Sequence, residues 1–397
     1  MVIQLSKIYF HIDVNNAFLS WEAVIRLKEG QKLDLRTISS AVAGDPKKRT
    51  GIILAKSKYA KDMGVKTGEP IFEAKRKCPN LYLVPPRHKL YEIESKKLYE
   101  LLTNYSDVIE KYSIDEYFIE YIPLLGGYKE VAEKIQKQIY KKLGFTVNIG
   151  ISDVKYLAKV ASDFEKPNKI HTLFKSEISN KLWNLPIENM FLLGNKTATK
   201  LKKLGIDTVY KLAHTNLDIL KMHLKSQGEE LYNFAWGKDL SDKHTKGETL
   251  KSVSHSKTSV NDLTDMEDIY NFILNVVNET SIRLRNEKMK TSTISVTLKT
   301  SNFKIYSSSK SIPYATDVTC ELFKISKNIF NEMYNGEPLR LIGVSFSNLE
   351  SSISTQLNIF EALDEKNHKV DTTVDNILKK YNNSKIITRA SLLNNNN

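Results

Sequence analysis

Tyr112-Ser113-Ile114-Asp115-Glu116-Tyr117 sets two adjacent carboxylates between the apolar runs Val108-Ile109 and Phe118-Ile119, a pattern of strand, turn and strand. On a regular strand Asp115 and Glu116 would point to opposite faces. A turn or bulge must therefore fall at the pair if both are to reach one site. Read alone, they could be two solvated acids at a loop tip. A third acid changes the weighing. Asp13 ends the alternating run Ile8-Tyr9-Phe10-His11-Ile12-Asp13, which predicts a half-buried strand with Ile8, Phe10 and Ile12 on one face and Tyr9, His11 and Asp13 on the other. Gathered carboxylates repel, so a site that collects them needs a cation or a raised pKa. Their oxygens suit Mg²⁺, which shares its coordination shell with substrate phosphates. Two such ions roughly 3.5–4 Å apart form the clamp of polymerase and nuclease chemistry. The expectation is a metal-dependent phosphoryl-transfer site.

The charge balance fits a phosphate-rich partner. There are 59 Lys and Arg against 46 Asp and Glu, a formal charge of +13. That excess points to nucleic acid or an anionic surface and says nothing of fold. With 397 residues, 41% of them hydrophobic, the chain has material for three or four domains. Cys78 and Cys320 are too few for a disulfide scaffold or a thiolate zinc site and are expected to be inert thiols. No apolar run approaches the ~18 residues of a membrane span, and Met1-Val2-Ile3-Gln4 does not begin a signal peptide. A soluble, cytoplasmic protein is expected.

Strands mixed with covering helices argue an α+β core up to about residue 170. From Leu185 to about Gly237 the pattern is helical, punctuated by Gly194 and Gly205, and the lysine-rich stretch Lys238 to Glu248 reads as a linker. Strand–helix–strand character returns over 250–350, where Ile294, Val296 and Leu298 alternate with hydroxyl residues, as do Ile342, Val344 and Phe346. Such strands predict a sheet with one wet face. After about Ser351 a tail is expected, in which Ile377, Leu378 and Ile386 are candidates for a small helix packed on the preceding domain, ending in the disordered run Asn394 to Asn397.

Phe10-His11-Ile12-Asp13-Val14-Asn15-Asn16-Ala17-Phe18, followed by Ser113-Ile114-Asp115-Glu116, resembles the two signature motifs of the Y-family translesion DNA polymerases, the bacterial polymerase IV and polymerase V group. Further motifs follow in the family's order over nearly the whole chain. The resemblance implies a multidomain α+β, right-hand polymerase. Its parts would be a ferredoxin-like palm (1–28 and 85–175), small fingers (29–84) and a helical thumb with a helix-hairpin-helix (176–240). An α/β little finger that grips DNA (241–350) and a C-terminal tail (351–397) would complete it. By the family pattern Asp13, Asp115 and Glu116 hold two Mg²⁺ ions, for which Mn²⁺ can substitute, and the Val14 carbonyl adds a backbone ligand. Phe18 falls at the steric gate, where an aromatic ring excludes a ribose 2′-hydroxyl. Without the motif it would read as a core aromatic of an amphipathic helix.

A short helix from about Lys56 to Met63, closed by Gly64, places Lys58 and Lys61 on one face and Tyr59 and Met63 on the other. In the family this helix carries a tyrosine and a basic residue that grip the incoming triphosphate. Lys61 takes the basic position and Lys58 stands where the tyrosine is usual, where an ammonium can hold phosphate as a point charge. Thr146 to Ile151 predicts another strand. The helix after it is expected from Asp153, as its cap, to Lys166-Pro167. It carries Lys155, Lys159, Ser162 and Lys166 on a polar stripe, with Val154, Leu157, Ala158 and Ala161 inward. Its end matches the family's Lys-Pro-Asn segment, which assigns Lys166 to the triphosphate and leaves Lys159 a structural or secondary part.

Leu192-Leu193-Gly194-Asn195-Lys196 resembles the hairpin of the family's thumb, which offers backbone N–H groups to a DNA phosphate. It lacks the usual first glycine, and a plain helical turn is the alternative. Asp265-Met266-Glu267-Asp268 follows Thr264 as a capping box and is read as structural. Gln356-Leu357-Asn358-Ile359-Phe360 looks like the bacterial sliding-clamp-binding peptide, with Gln356, Leu357, Ile359 and Phe360 as anchors. The implied partners of this monomer are primer–template DNA, deoxynucleoside triphosphates and the clamp, the β subunit of the replicative polymerase. A nucleotide cyclase would share the acids but has no use for the hairpin or the clamp peptide. An inert DNA-binding scaffold would not be expected to keep all three acids.

Overall fold

The computed structural model describes residues 7–45, 51–122, 126–238, 250–352 and 361–381, the last with side chains from 367 onward. Two compact units divide the chain, Met1–Lys246 and Gly247–Asn397.

In the first unit β1 (Tyr9–Val14) leads into α1 (Ala17–Lys28). Then come β2 (Ser40–Ala43), β3 (Ile53–Lys56), α2 (Lys58–Asp62), α3 (Ile71–Lys77) and β4 (Tyr82–Val84). The chain continues through α4 (His88–Leu102), β5 (Ile109–Lys111), β6 (Glu116–Glu120), α5 (Tyr128–Leu143), β7 (Val147–Ser152), α6 (Lys155–Ser162) and β8 (Ile170–Thr172). One sheet has the order β5-β6-β1-β7-β8, with β1 antiparallel to both neighbours. A smaller sheet, β3-β2-β4, is built wholly from the segment between α1 and α4. Its core gathers Ala41, Ile53, Ala60, Ile71 and Cys78.

The central position of β1 overturns one expectation: the strand is buried on both faces. Phe10, Ile12 and Val14 join Tyr91, Leu98, Ile135 and Ile139 beneath α4 and α5. On the opposite face His11 is fully buried too, because α6 covers it. Alternation of polar and apolar residues suggested water on that side, yet a helix with its own polar groups lies there. Gly150 of β7 makes the approach possible. A Cβ at that position would stand 1.8 Å from the Ala158 carbonyl oxygen and 2.5 Å from the Ser162 nitrogen.

Helix α5 shows the ordinary logic of a covering helix. Val131, Ala132, Ile135 and Ile139 share the buried face, and Gly144 ends it at φ 85° with its N–H on the Ile139 and Tyr140 carbonyls. Beyond β8 lie α7 (Asn195–Lys203), α8 (Val209–Ala213), α9 (Leu217–Leu224) and α10 (Ser226–Ala235). Their core of Leu201, Val209, Leu212, Leu220 and Phe234 is continuous with Leu157 and Val160 of α6.

The second unit contains β9 (Ser252–Leu263), α11 (Met266–Asn286), β10 (Met289–Thr300), β11 (Ile305–Thr316), α12 (Thr319–Met333), β12 (Leu339–Ser351) and α13 (Glu361–Tyr381). Its antiparallel sheet has the order β11-β10-β12-β9. Ile294, Val296, Leu298, Ile342, Val344 and Phe346 form the core with Ile273 and Val277 of α11 and Leu322 and Phe330 of α12. The alternate positions carry hydroxyls, and Thr293, Ser295 and Thr297 lie opposite Ser311, Ser309 and Ser307. The sheet has the expected one wet face.

Two local expectations need correction. Asp153 does not cap α6; its carboxylate accepts from the Ser152 hydroxyl and the Lys175 N–H, and α6 ends at Ser162, short of Lys166. Helix α11 is capped by Asp265 and not by Thr264, through bonds from the N–H groups of Glu267 and Asp268 at 2.8 and 3.1 Å. The small helix expected in the tail is α13, which docks on its own unit: Arg285 of α11 donates to both Asp375 carboxylate oxygens at 2.6 and 3.1 Å, and Val374 is buried. An ion pair across ninety residues of sequence has no local signal. The peptide Gln356 to Phe360, the run Asn394 to Asn397 and all of the Lys238 to Glu248 linker but Lys238 itself lie outside the described residues. Among the described residues no helix is long and apolar enough to cross a membrane.

Candidate active site

Register between β1 and β6 sets Asp13 directly opposite Glu116, and directly paired residues of antiparallel strands share a face. Strands β5 and β6 pair from Ile109↔Ile119 to Lys111↔Tyr117, so the turn falls at 112–115. Within it Ser113 Oγ donates to Asp115 Oδ1 at 2.7 Å, and the Asp115 carbonyl accepts the Val14 N–H at 3.1 Å. The turn thus carries Asp115 to the end of β1 beside Asp13.

There a cleft of 460 Å³ opens between the strand end and α2. Asp13, Val14, Phe18, Lys58, Lys61, Asp115 and Lys166 all line it. Residues from four separate parts of the sequence meet at one place. Lys56, which the sequence reading did not single out, lines it as well and donates to Thr67 Oγ1 at 2.9 Å. Burial and then the charge of Lys61 hold the Lys56 ammonium below its usual range. Glu116 is not part of this lining. Its carboxylate is turned toward α6, paired with the Lys159 ammonium and 3.8 Å from His11 Nε2.

The charges explain each other. Burial raises the Asp13 carboxyl to about 6, against the Lys166 ammonium, which pairs with it and pulls the other way; Glu116 and Asp115 add to the rise. Burial works to lower Lys166, but Asp13 and Asp163 outweigh it and hold the ammonium above its usual range. His11 is pushed well below the usual histidine range by burial, then by Lys159 and Lys166, and stays neutral. Its Nδ1 bonds Ser162 Oγ at 2.8 Å.

Among the described residues no three acidic, histidine or cysteine side chains are arranged to hold a metal ion between them. The donor set nonetheless suits hard cations: carboxylates and a backbone carbonyl, all oxygen. Two of the acids already hold a positive charge, since Lys166 stands on Asp13 and Lys159 on Glu116. A divalent ion would take the place of an ammonium.

Phe18 packs face to face on Tyr91, a residue the sequence reading passed over because only its apolar spacing in α4 was visible. Lys159, expected to play a structural or secondary part, pairs with Glu116, one of the three acids. The signal available was its helical spacing from Lys155 and Ser162, whose covering partner only the fold reveals. In the α7 region Gly194 precedes the helix in extended conformation and is exposed with Asn195 and Lys196. Leu192, two residues before Gly194, adopts φ 59°. The backbone takes the left-handed turn without a glycine.

The chain belongs to the impB/mucB/samB family, the Y-family DNA polymerases of translesion synthesis: the family model matches residues 12–163, the C-terminal-domain model 250–359 and the helix-hairpin-helix (HHH) motif model 175–206. DNA polymerase IV of Clostridium acetobutylicum is 42% identical over 98% of this chain and 99% of its own length. DNA polymerase IV of Alkaliphilus oremlandii is 35% identical over 98% and 100%, and DNA polymerase IV 1 of Bacillus subtilis 32% over 98% and 94%. Among solved structures, a Y-family chimera of Dbh and Dpo4 superposes with a TM-score of 0.72 at 23% identity, covering 87% of this chain and 99% of that one. At that identity it speaks for the fold alone, and the fold is the right-hand polymerase that the motifs implied.

Proposed function

We infer that the chain is a template-directed DNA polymerase of the translesion type, adding deoxynucleotides to a primer 3′-hydroxyl by two-metal phosphoryl transfer. One observation carries this reading: a single cleft joins Asp13 and Asp115 to Phe18 and to Lys58, Lys61 and Lys166. Asp13, Asp115 and the Val14 carbonyl, with Glu116 once it turns from Lys159, would hold two Mg²⁺ ions, and Mn²⁺ could replace them. Bound there, the ions lower the pKa of the primer hydroxyl and neutralise the triphosphate and departing pyrophosphate. Lys61 and Lys166 add charge at the phosphates, and Lys58 serves as a further point charge. Phe18 lies under the sugar and excludes a 2′-hydroxyl. The cleft is roomy and tests base-pair shape loosely, so fidelity is low.

The parts follow the right-hand plan: palm 1–28 and 85–175, fingers 29–84, thumb 176–240, little finger 241–350 and a C-terminal segment from 351. Gly194, Asn195 and Lys196 offer N–H groups and charge to a template–primer phosphate, a contact that positions the duplex without reading it. Gln356, Leu357, Ile359 and Phe360 anchor the enzyme to the sliding clamp, so changing Leu357 and Phe360 to Ala abolishes stimulation by clamp-loaded DNA and spares synthesis on bare template. The protein works as a cytoplasmic monomer.

Primer extension with and without Mg²⁺ tests the central claim. Asp115→Ala and Glu116→Ala should each remove nucleotide transfer while leaving duplex binding largely intact. Extension by either variant above about a hundredth of the wild-type rate would exclude the two-metal assignment.

A further inference from the structure

Between α6 and β8 the segment from Ser162 to Lys169 carries Lys166 over the cleft, and it contains no regular structure beyond the end of α6. Two buried amides hold it. Asn148 of β7, fully buried, donates through Nδ2 to the carbonyl oxygens of Ser162 at 2.9 Å and Glu165 at 2.6 Å. Its Oδ1 accepts the Lys169 N–H at 3.2 Å and Asn15 Nδ2 at 3.1 Å. Asn15, also buried, accepts the Asn168 N–H on its own Oδ1 at 2.9 Å. Asn168 has φ 60°, a conformation that needs such support.

The attachments fall on either side of Lys166, at Glu165 before it and at Asn168 and Lys169 after it. Their other ends stand beside the acid: Asn148 is the β7 residue opposite Asp13, and Asn15 follows Asp13 by two. An amide on a strand buried on both faces is costly unless every polar atom is matched, and here both Asn148 atoms are. A purely apolar contact could have packed β7 against α6. What the two amides add is a fixed path for the backbone on each side of one lysine.

We propose that Asn148, working with Asn15, is a positioning residue that sets the Lys166 ammonium relative to Asp13, so that the phosphate-binding lysine and the metal-binding acid stay in register. The proposal rests on the assignment of Lys166 to the triphosphate, and the two can fail separately.

The experiment is a double-mutant cycle in the full chain, read by single-nucleotide insertion: Asn148→Ala, Lys166→Ala and both together. Asn148→Ala should lower kcat/KM for the triphosphate about tenfold, the worth of one to two hydrogen bonds, with DNA affinity unchanged. In the Lys166→Ala background the same change should cost less than about twofold. An equal loss in both backgrounds means that Asn148 merely supports the fold and overturns the proposal. An unchanged kcat/KM in Lys166→Ala overturns the reading on which it rests. If Asn148→Ala does not fold, Asn15→Ser, which releases the Asn168 N–H and the Asn15–Asn148 bond but keeps the other Asn148 bonds, enters the same cycle. Amide exchange gives a readout without activity: Lys169 should exchange faster in Asn148→Ala and Asn168 in Asn15→Ser, and unchanged protection overturns the bracket.

Discussion

The rings of Phe18 and Tyr91 stack with centroids 4.7 Å apart and planes within 17°. Tyr91 is itself fixed, fully buried with its hydroxyl donating to Glu22 Oε1 at 2.8 Å, and Arg87 donates to the same carboxylate at 2.9 Å. The position of the Phe18 ring is therefore set by a polar chain behind it. Phe18→Ala should raise the ratio of ribo- to deoxyribonucleotide incorporation at least about tenfold, since volume does the excluding. Tyr91→Phe keeps the stack and should keep that ratio, while losing about 1 kcal/mol of stability in urea because Glu22 Oε1 keeps only the Arg87 Nε donor at 3.0 Å. A relaxed ratio in Tyr91→Phe would place the control in the hydroxyl and not in the ring.

Asp13 ties stability to pH. Its carboxyl keeps its proton up to about pH 6 in the folded protein, against about 3.9 in an unfolded chain. The folded state binds that proton more tightly, so this group's contribution is complete below about pH 4 and is lost as pH rises through about 6. Asp13→Asn removes the dependence. At pH 7.5 the variant should be more stable than the wild type by up to about 3 kcal/mol, with the difference vanishing near pH 4. Urea titrations from pH 4 to 8 measure it, and a variant less stable at pH 7.5 would contradict the burial argument.

Gly150 and Gly194 should separate packing from binding. Gly150→Ala forces its Cβ against the Ala158 carbonyl, so α6 must move, at about 3 kcal/mol or more. The Lys159–Glu116 and His11–Ser162 contacts would go with it. At Gly194 a Cβ meets nothing within 4 Å and φ is −78°. Gly194→Ala should leave stability within about 0.5 kcal/mol, so any loss of duplex affinity measures close approach by a phosphate.

Leu192 offers the reverse test. It is exposed and holds φ 59°, which an L-residue adopts at a cost of roughly 1–2 kcal/mol. Leu192→Gly should raise the unfolding free energy by about 0.5–1 kcal/mol, the entropy of the unfolded glycine offsetting part of the relief. A destabilised variant would show that the Leu192 side chain packs usefully.

Much of this was legible in the sequence, for reasons that differ by element. The strand Tyr9 to Asp13, the β5–β6 turn and the β10 face announced themselves by period, because one apolar face must be buried. Asp13, Asp115, Phe18 and Lys166 were legible through motifs, and the cleft brings them together. What escaped was set by distance along the chain. His11 and Asp13 read as a wet face because α6, which covers them, begins 142 residues after Asp13. Asn148 alternates with Gly150 in a short strand and carries no pattern that local reasoning can weigh. The Arg285 ion pair that docks α13 joins residues far apart in the chain. At Thr264 the neighbouring Asp265 takes the first-turn N–H donors, and the Asp153 carboxylate is turned to Ser152 and Lys175.

The ion pairs Lys166–Asp13 and Lys159–Glu116 also decide how this protein folds. Many metal centres are assembled from like charges that only the ion can reconcile, and there chelation unfolds the protein. Here Lys166 and Lys159 already neutralise Asp13 and Glu116, so folding should be complete before any cation arrives. Stripping the metal should then silence turnover without unfolding the protein, its melting temperature falling only by what a bound ion adds through mass action, and restoring it should need no refolding.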